Sequence, residues 1–303
     1  MNKFVCNITL FLAGSLFGIL VISQLAFKEH DKKMPTKNKP LGIAEVPDLP
    51  GKMDFAGEQV PLDRWEVKER MDRELLFNFH NKPGILYMLK LANRHFPVIS
   101  ERLKANGVPD DFKYLCVAES NLESTARSRA GAISFWQFMD YTAPGYQLTV
   151  NQQVDQRYDL EKATDAACRY LKQAYNKFGN WTAAAASYNC GMGGYSSQAG
   201  FQNSNLYYDL YLPEETNRYI FRIMAFKHLM SNAEELGFRL HENEKYQPLP
   251  FKLVEVTNSI PDLAKFATQN GTSYKILKLM NPWIRGRSIT VAPKKEIVLR
   301  LPV

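Results

Sequence analysis

Between Val60 and Gly237 apolar side chains recur at helical spacing and strand-like alternation is nowhere sustained, which confines this stretch to an all-α domain. Trp65–Phe79 and Gly84–Ala105 are predicted helices, the second bent or split at Pro97 and stopped by Asn106-Gly107. Asp110–Asn121 follows Pro109 and takes Asp110 as its N-cap. Asp165–Phe178 places Ala167, Tyr170, Leu171, Ala174 and Phe178 on one face, with Gly179 behind it. Trp181–Tyr188 reads as a short alanine-rich helix ending at Asn189-Cys190-Gly191. Glu214–Leu236 opens after Pro213 and closes at Gly237.

Within this pattern Glu119 is out of place. The apolar stripe of Asp110–Asn121 runs Phe112, Leu115, Cys116 and then Glu119, at offsets i, i+3, i+4 and i+7. A carboxyl on that face loses hydration, so its charged form is disfavoured and its pKa should rise. An acid still protonated near neutral pH can donate a proton to a substrate; a glutamate at a helix end bonded to a nearby loop is the plainer reading. Three polar islands interrupt the packing pattern: Glu119-Ser120 with the loop after it; Gln137 inside the apolar run Gly131–Met139; and Tyr188-Asn189 after four alanines. Each alone is as well explained by a structural hydrogen bond.

The ends of the chain differ from its middle. Lys3 precedes a largely apolar stretch from Phe4 to Phe27, and charges resume from Lys28 to Lys33. About 23 residues rising ~1.5 Å each span roughly 35 Å, enough for a bilayer. Residues 1–27 are therefore expected to be a signal anchor, or else a cleaved signal peptide, that carries the rest of the chain out of the cytoplasm. Residues 28–60, rich in Lys, Pro and Gly, read as a flexible linker. The net charge of +7 is uneven: from Lys245 to Val303 there are ten Lys or Arg and three Asp or Glu, so residues 1–244 are neutral. A basic tail implies an anionic partner, and export argues for a wall polymer or membrane surface over nucleic acid. Cys116, Cys168 and Cys190 fall in helical contexts and make no disulfide framework; no metal-ligand spacing is present, and no cofactor is implied.

Taken in order, Ala118-Glu119-Ser120, then Ser128-Arg-Ala-Gly131 through Trp136-Gln137-Phe-Met139, then Tyr188-Asn189-Cys-Gly191 resembles the three-motif signature of the family 1 lytic transglycosylases. The stretch Leu212–Tyr219 resembles the membrane-bound, D-type branch. The resemblance implies a mainly α fold, with a goose-type lysozyme-like catalytic domain over 61–242. It implies Glu119 as catalytic acid and base, with Ser120, Ser128, Gln137, Tyr188, Asn189 and Tyr219 lining a groove for peptidoglycan strands. Ser134-Phe135 stands where the family commonly has Gly-Leu, and Ser187 and Cys190 flank Tyr-Asn where it has alanine. Arg127, Arg129, Trp136 and Tyr195 are further candidates to meet the stem peptide or sugar faces. Residues 250–303 read as strand (Phe251–Val256), helix (Ile260–Ala267), helix (Tyr274–Met280) and strand (Glu296–Leu301), similar to a LysM module through Leu277-x-x-x-Asn281-Pro282.

Glycosidases commonly use two carboxyl groups, and only Glu119 sits in a motif. The resemblance implies a reaction that needs one. The acid protonates the oxygen between N-acetylmuramic acid and N-acetylglucosamine, and then, as carboxylate, accepts the proton of the muramyl 6-hydroxyl as that oxygen closes on C1. Tyr188 is expected to hydrogen-bond Glu119, and Ser128 to orient it or the N-acetyl group. The rivals are a hydrolytic muramidase, with Asp140 or Asp159 as second acid, and an inactive glycan-binding scaffold. The expected location is the cell envelope, with the catalytic domain on the extracytoplasmic side.

Overall fold

A computed structural model describes residues 47–303; the expected membrane segment and residues 28–46 of the expected linker lie outside the described residues. Among the described residues no helix is long and apolar enough to cross a membrane. The helices predicted from periodicity are present. They are α1 (Trp65–His80), α2 (Lys82–Ala105), α3 (Phe112–Ser120), α4 (Leu160–Phe178), α5 (Trp181–Gln202) and α6 (Glu214–Ser231). Pro97 is accommodated inside α2. α5 runs further than its sequence suggested: Gly191, at φ 77 and ψ 148, breaks it, and the chain then resumes a helix to Gln202. Only a residue without Cβ takes that conformation freely.

α3 is the axis of the domain. In nine residues it buries Phe112, Tyr114, Leu115, Cys116, Val117 and Ser120, so it is apolar nearly all round and enclosed by its neighbours. The Phe112 ring meets Phe55 edge-on at 5.1 Å and Trp181 at 5.4 Å. Asp111, not Asp110, stands at the N-cap, and its carboxylate is turned outward to accept from Ala56 N and Lys227 Nζ, each at 2.7 Å. Asn121 ends the helix in the left-handed region at φ 52. The side chain of Glu119 is thereby delivered to the far end of a rigid, enclosed element.

The expected linker is corrected at its end. Asp54–Phe55 and Glu58–Gln59 pair as the antiparallel hairpin β1–β2, turning at Ala56 and Gly57 with φ of 54 and 82. Two positive φ values in a two-residue turn match the right-handed twist of a tight hairpin. Met53, Phe55 and Val60 are buried in the helical core. The Glu58 carboxylate accepts from Trp181 N, Thr182 N and Thr182 Oγ1 at 2.6 to 2.9 Å, neutralising the N-terminus of α5.

The tail folds as read. β3 (Phe251–Val256) and β4 (Ile297–Pro302) pair antiparallel over their full length, with α7 (Leu263–Gln269) and α8 (Tyr274–Met280) between them. Asn281, fully buried, bonds Leu277 O, Arg300 O and Arg300 N and so fixes α8 to β4. This module docks on residues 153–161. Val154 bridges Ile284, Asp155 N donates to Trp283 O at 2.8 Å, and Arg285 lies 4.4 Å over the Tyr158 ring. Arg300 pairs with Glu161. The groups behind this seam continue to the site: the buried Arg157 forks onto Asp155 at 2.9 and 2.8 Å and donates its remaining Nη1 to Phe138 O at 3.2 Å.

Candidate active site

Glu119 is half-buried, and the loss of hydration raises its pKa from the ordinary 4.5 to about 7. Burial is the largest cause. Against it work the hydroxyl of Tyr219, which donates to Glu119 Oε1, and the positive charge of Arg222; the negative charge of Glu215 works with it. A carboxyl at this value is divided between its two forms near neutral pH. It can lose a proton in one step and regain one in the next without a large cost in either direction.

The motif residues come from four elements. The loop 121–139 leaves α3 through two successive left-handed residues, Asn121 and Leu122, and is pinned by side chains of its own. Ser128, exposed, accepts from Ala132 N at 3.0 Å. Gln137, half-buried at φ 49, spends both amide hydrogens on the loop, at 2.7 Å to Ser134 O and 3.3 Å to Ala126 O. Its amide oxygen is the end left over. From α5, just before the Gly191 break, come Tyr188 and Asn189, and Asn189 Oδ1 accepts from the buried Thr216 of α6 at 2.8 Å.

The phenol that meets Glu119 is not the one expected. Tyr188 does not bond Glu119: its hydroxyl donates to Trp136 O at 2.8 Å, and its ring packs edge-on against Phe138 and Tyr170. The partner of Glu119 is Tyr219, which is 2% exposed and so is a buttress behind the carboxyl in place of a groove-lining group. Burial pushes both phenols well above their usual value, with the Glu119 charge adding to it, so each is a neutral donor. Ser120 is likewise turned inward, donating to Cys116 O at 3.1 Å. Trp136 and Tyr195, at 1% and 0% exposed, belong to the core and are not surfaces for sugar or peptide. Trp136 gives its indole N–H to Thr164. Arg127 and Arg129 are exposed.

The acids named for a hydrolytic rival are occupied locally. Asp140 accepts from Tyr141 N at 2.8 Å and Asp159 caps α4 through Lys162 N at 3.2 Å. The carboxyl whose charge does reach Glu119 is Glu215, exposed in the first turn of α6. A separate cleft of about 670 Å³, with Leu89, Phe96, Tyr114 and Phe238 in its walls, includes none of the motif residues.

Ser134 marks a cost in this loop. It is fully buried at φ 65, and its hydroxyl has no hydrogen-bond partner. Its backbone is committed on both sides, with N donating to Ala126 O and O accepting from Gln137. A residue without Cβ would be unstrained there and would leave no orphaned hydroxyl. Ser134→Gly is expected to stabilise the protein by about 1 kcal/mol, part of the gain being offset by a small void. Denaturant unfolding checks this; a loss of stability would mean that the serine packs better than it strains.

Residues 96–208 match the family model of the transglycosylase SLT domain, and residues 252–303 that of the soluble lytic transglycosylase C-terminal LysM-like domain. The chain is 26% identical over 253 residues to membrane-bound lytic murein transglycosylase D of Escherichia coli K12, and equally to that of E. coli O6:H1 strain CFT073. Each alignment covers 81% of this chain and 54% of the relative, so the chain spans about half the length of the curated relatives it matches. A crystal structure of an inactive mutant of lytic transglycosylase Slt from Pseudomonas aeruginosa aligns at 21% identity and a TM-score of 0.39. It covers 51% of this chain and 26% of that one.

Proposed function

From a chain that carries an SLT transglycosylase domain followed by a LysM-like domain, we propose a lytic transglycosylase of peptidoglycan, held at the cell envelope, in which Glu119 acts first as acid and then as base. The observation that carries this reading is the single carboxyl raised to about 7 with a phenol donating to it. In the first half Glu119 protonates the oxygen of the β-1,4 bond between N-acetylmuramic acid and N-acetylglucosamine, and the C1–O bond breaks. The acyl oxygen of the muramyl N-acetyl group shields the charge that develops at C1.

In the second half the muramyl 6-hydroxyl oxygen bonds to C1, and its proton passes to the Glu119 carboxylate, which restores the acid. The product is a 1,6-anhydromuramyl end, and no water is consumed. Tyr219 favours the carboxylate between the two transfers, because a donated O–H stabilises the charged form. The nucleophile belongs to the substrate and is already adjacent to C1, so its effective concentration is high and a second carboxylate is not required. Gln137 and Asn189 contribute amide groups for neighbouring sugars, and Ser128 a hydroxyl at the groove edge. The domains assigned are 61–242 for catalysis, extended at its start by the hairpin from Met53, and 250–303 for the LysM-like module.

Digestion of purified peptidoglycan by the full chain in detergent, with products identified by mass spectrometry, tests the reading. The expected ends are lighter than hydrolysed ones by one water. Reducing ends would establish a muramidase and direct attention to Glu215 as the residue able to activate water. Binding without cleavage would leave a scaffold.

A further inference from the structure

Arginines on α6 are treated differently by their surroundings. Arg218 donates Nε to the buried Glu74 at 2.6 Å and so ties α6 to α1. Arg222, one turn later, has its Nε buried without a hydrogen-bond partner and forms no ion pair among the described residues. A buried guanidinium N–H without an acceptor is unfavourable, so its retention calls for a reason other than packing. Its place supplies one. Tyr219 and Arg222 stand at i and i+3 and share a face of α6, and the contact of Tyr219 with Glu119 directs that face at the site.

We propose that Arg222 is a positioning residue: its guanidinium, joined to Glu119 by no ion pair, is the positive charge against which that carboxyl gives up its proton. The proposal rests on the acid–base role of Glu119 in the proposed function. The titratable and charged groups that bear on this carboxyl are Tyr219, Glu215 and Arg222 from α6, Tyr188 from α5 and Cys116 from α3 itself. Burial holds both phenols and the thiol in their neutral forms. The fixed charges are therefore Arg222, favouring the carboxylate, and Glu215, opposing it. Contact between Arg222 and Glu119 would lock the carboxylate and remove the acid. A charge set back from it lowers the energy of the ionised form and still permits return of the proton.

The readout that separates this from a structural role is the protonation of Glu119 itself. Carbodiimide activates a protonated carboxyl, so labelling of Glu119 with glycinamide, followed by peptide mass spectrometry from about pH 5 to 9, reports its midpoint in the full chain whether or not the enzyme turns over. Wild type is expected near 7. Arg222→Met is expected to move the midpoint up by about one pH unit, and Arg222→Lys to return it towards wild type. In peptidoglycan digestion the alkaline limb of the rate, where the acid is lost, is expected to move in parallel. An unchanged midpoint in Arg222→Met, or an equal rise in both variants, would overturn the proposal. Midpoints that move as expected in a chain that leaves peptidoglycan uncut would uphold the role of Arg222 and dismiss the proposed function instead.

Discussion

Glu119→Gln is expected to lower the formation of anhydromuramyl ends by at least about 100-fold and to leave glycan binding unchanged. The amide has the shape of the acid and still offers an oxygen to the Tyr219 hydroxyl, so the buttress behind it is kept. The substitution removes the proton that the first half requires and the base that the second half requires. Tyr188 and Tyr219 do not replace them, because burial holds both phenols neutral. Turnover and cosedimentation with purified peptidoglycan measure the two halves of the expectation. Retention of more than about a tenth of the wild-type rate would remove Glu119 from the chemistry.

The same substitution is expected to stabilise the protein by an amount that grows as pH rises above about 4.5 and is fully developed above neutral pH. Unfolded, Glu119 ionises near 4.5; folded, near 7. Between those values the native state holds a proton that the unfolded state has released, so stability falls as pH rises through the window and stays low above it. The interval corresponds to about 3 kcal/mol, which partial exposure of the side chain reduces to about 2. Glutamine carries no such burden. The Glu119→Gln protein should therefore unfold at higher denaturant than wild type at about pH 8 and show no comparable advantage at about pH 4. An equal difference at both pH values would mean that the carboxyl is not desolvated. The desolvation that keeps Glu119 protonated near neutral pH also weakens the fold once the carboxyl ionises.

Much of this was legible because it is local. Helix spacing and strand alternation are properties of neighbouring residues, and the helices around α3 and the two strands and two helices of the tail are local in this sense. Glu119 stood out for the same reason, as an acid at the fourth place of an apolar stripe. Its partner did not, since Tyr219 lies 100 residues away and only packing of α6 against α3 brings the two together. Tyr188 was the natural choice by motif, but Trp136 O claims its hydroxyl. Arg222 carried a weak signal: it stands three residues after Tyr219 on a helix. The hairpin at Asp54–Gln59 was hidden by the Lys- and Pro-rich composition before it, and its clue was Ala56-Gly57 between Phe55 and Glu58. The break at Gly191 was read as an end, because sequence shows a glycine at a stop and at a kink in the same way.

The seam between helical domain and tail bears on the order in which the molecule assembles. It joins Glu161 to Arg300 across 139 positions, whereas the helices close their own hydrogen bonds within four. Topology of this kind separates fast from slow events: local helices collapse first, and contacts of high sequence separation wait on closure of a long loop. The entropic penalty of that closure grows only with the logarithm of loop length, about 0.6 kcal/mol per doubling, so a late seam is not a weak one. Arg157 holds Phe138 O on one side and Asp155 on the other, and Asp155 N reaches Trp283 O. The wall of the loop that carries Gln137 is thus linked to the LysM-like module, and it gains its final brace when that module folds back onto it.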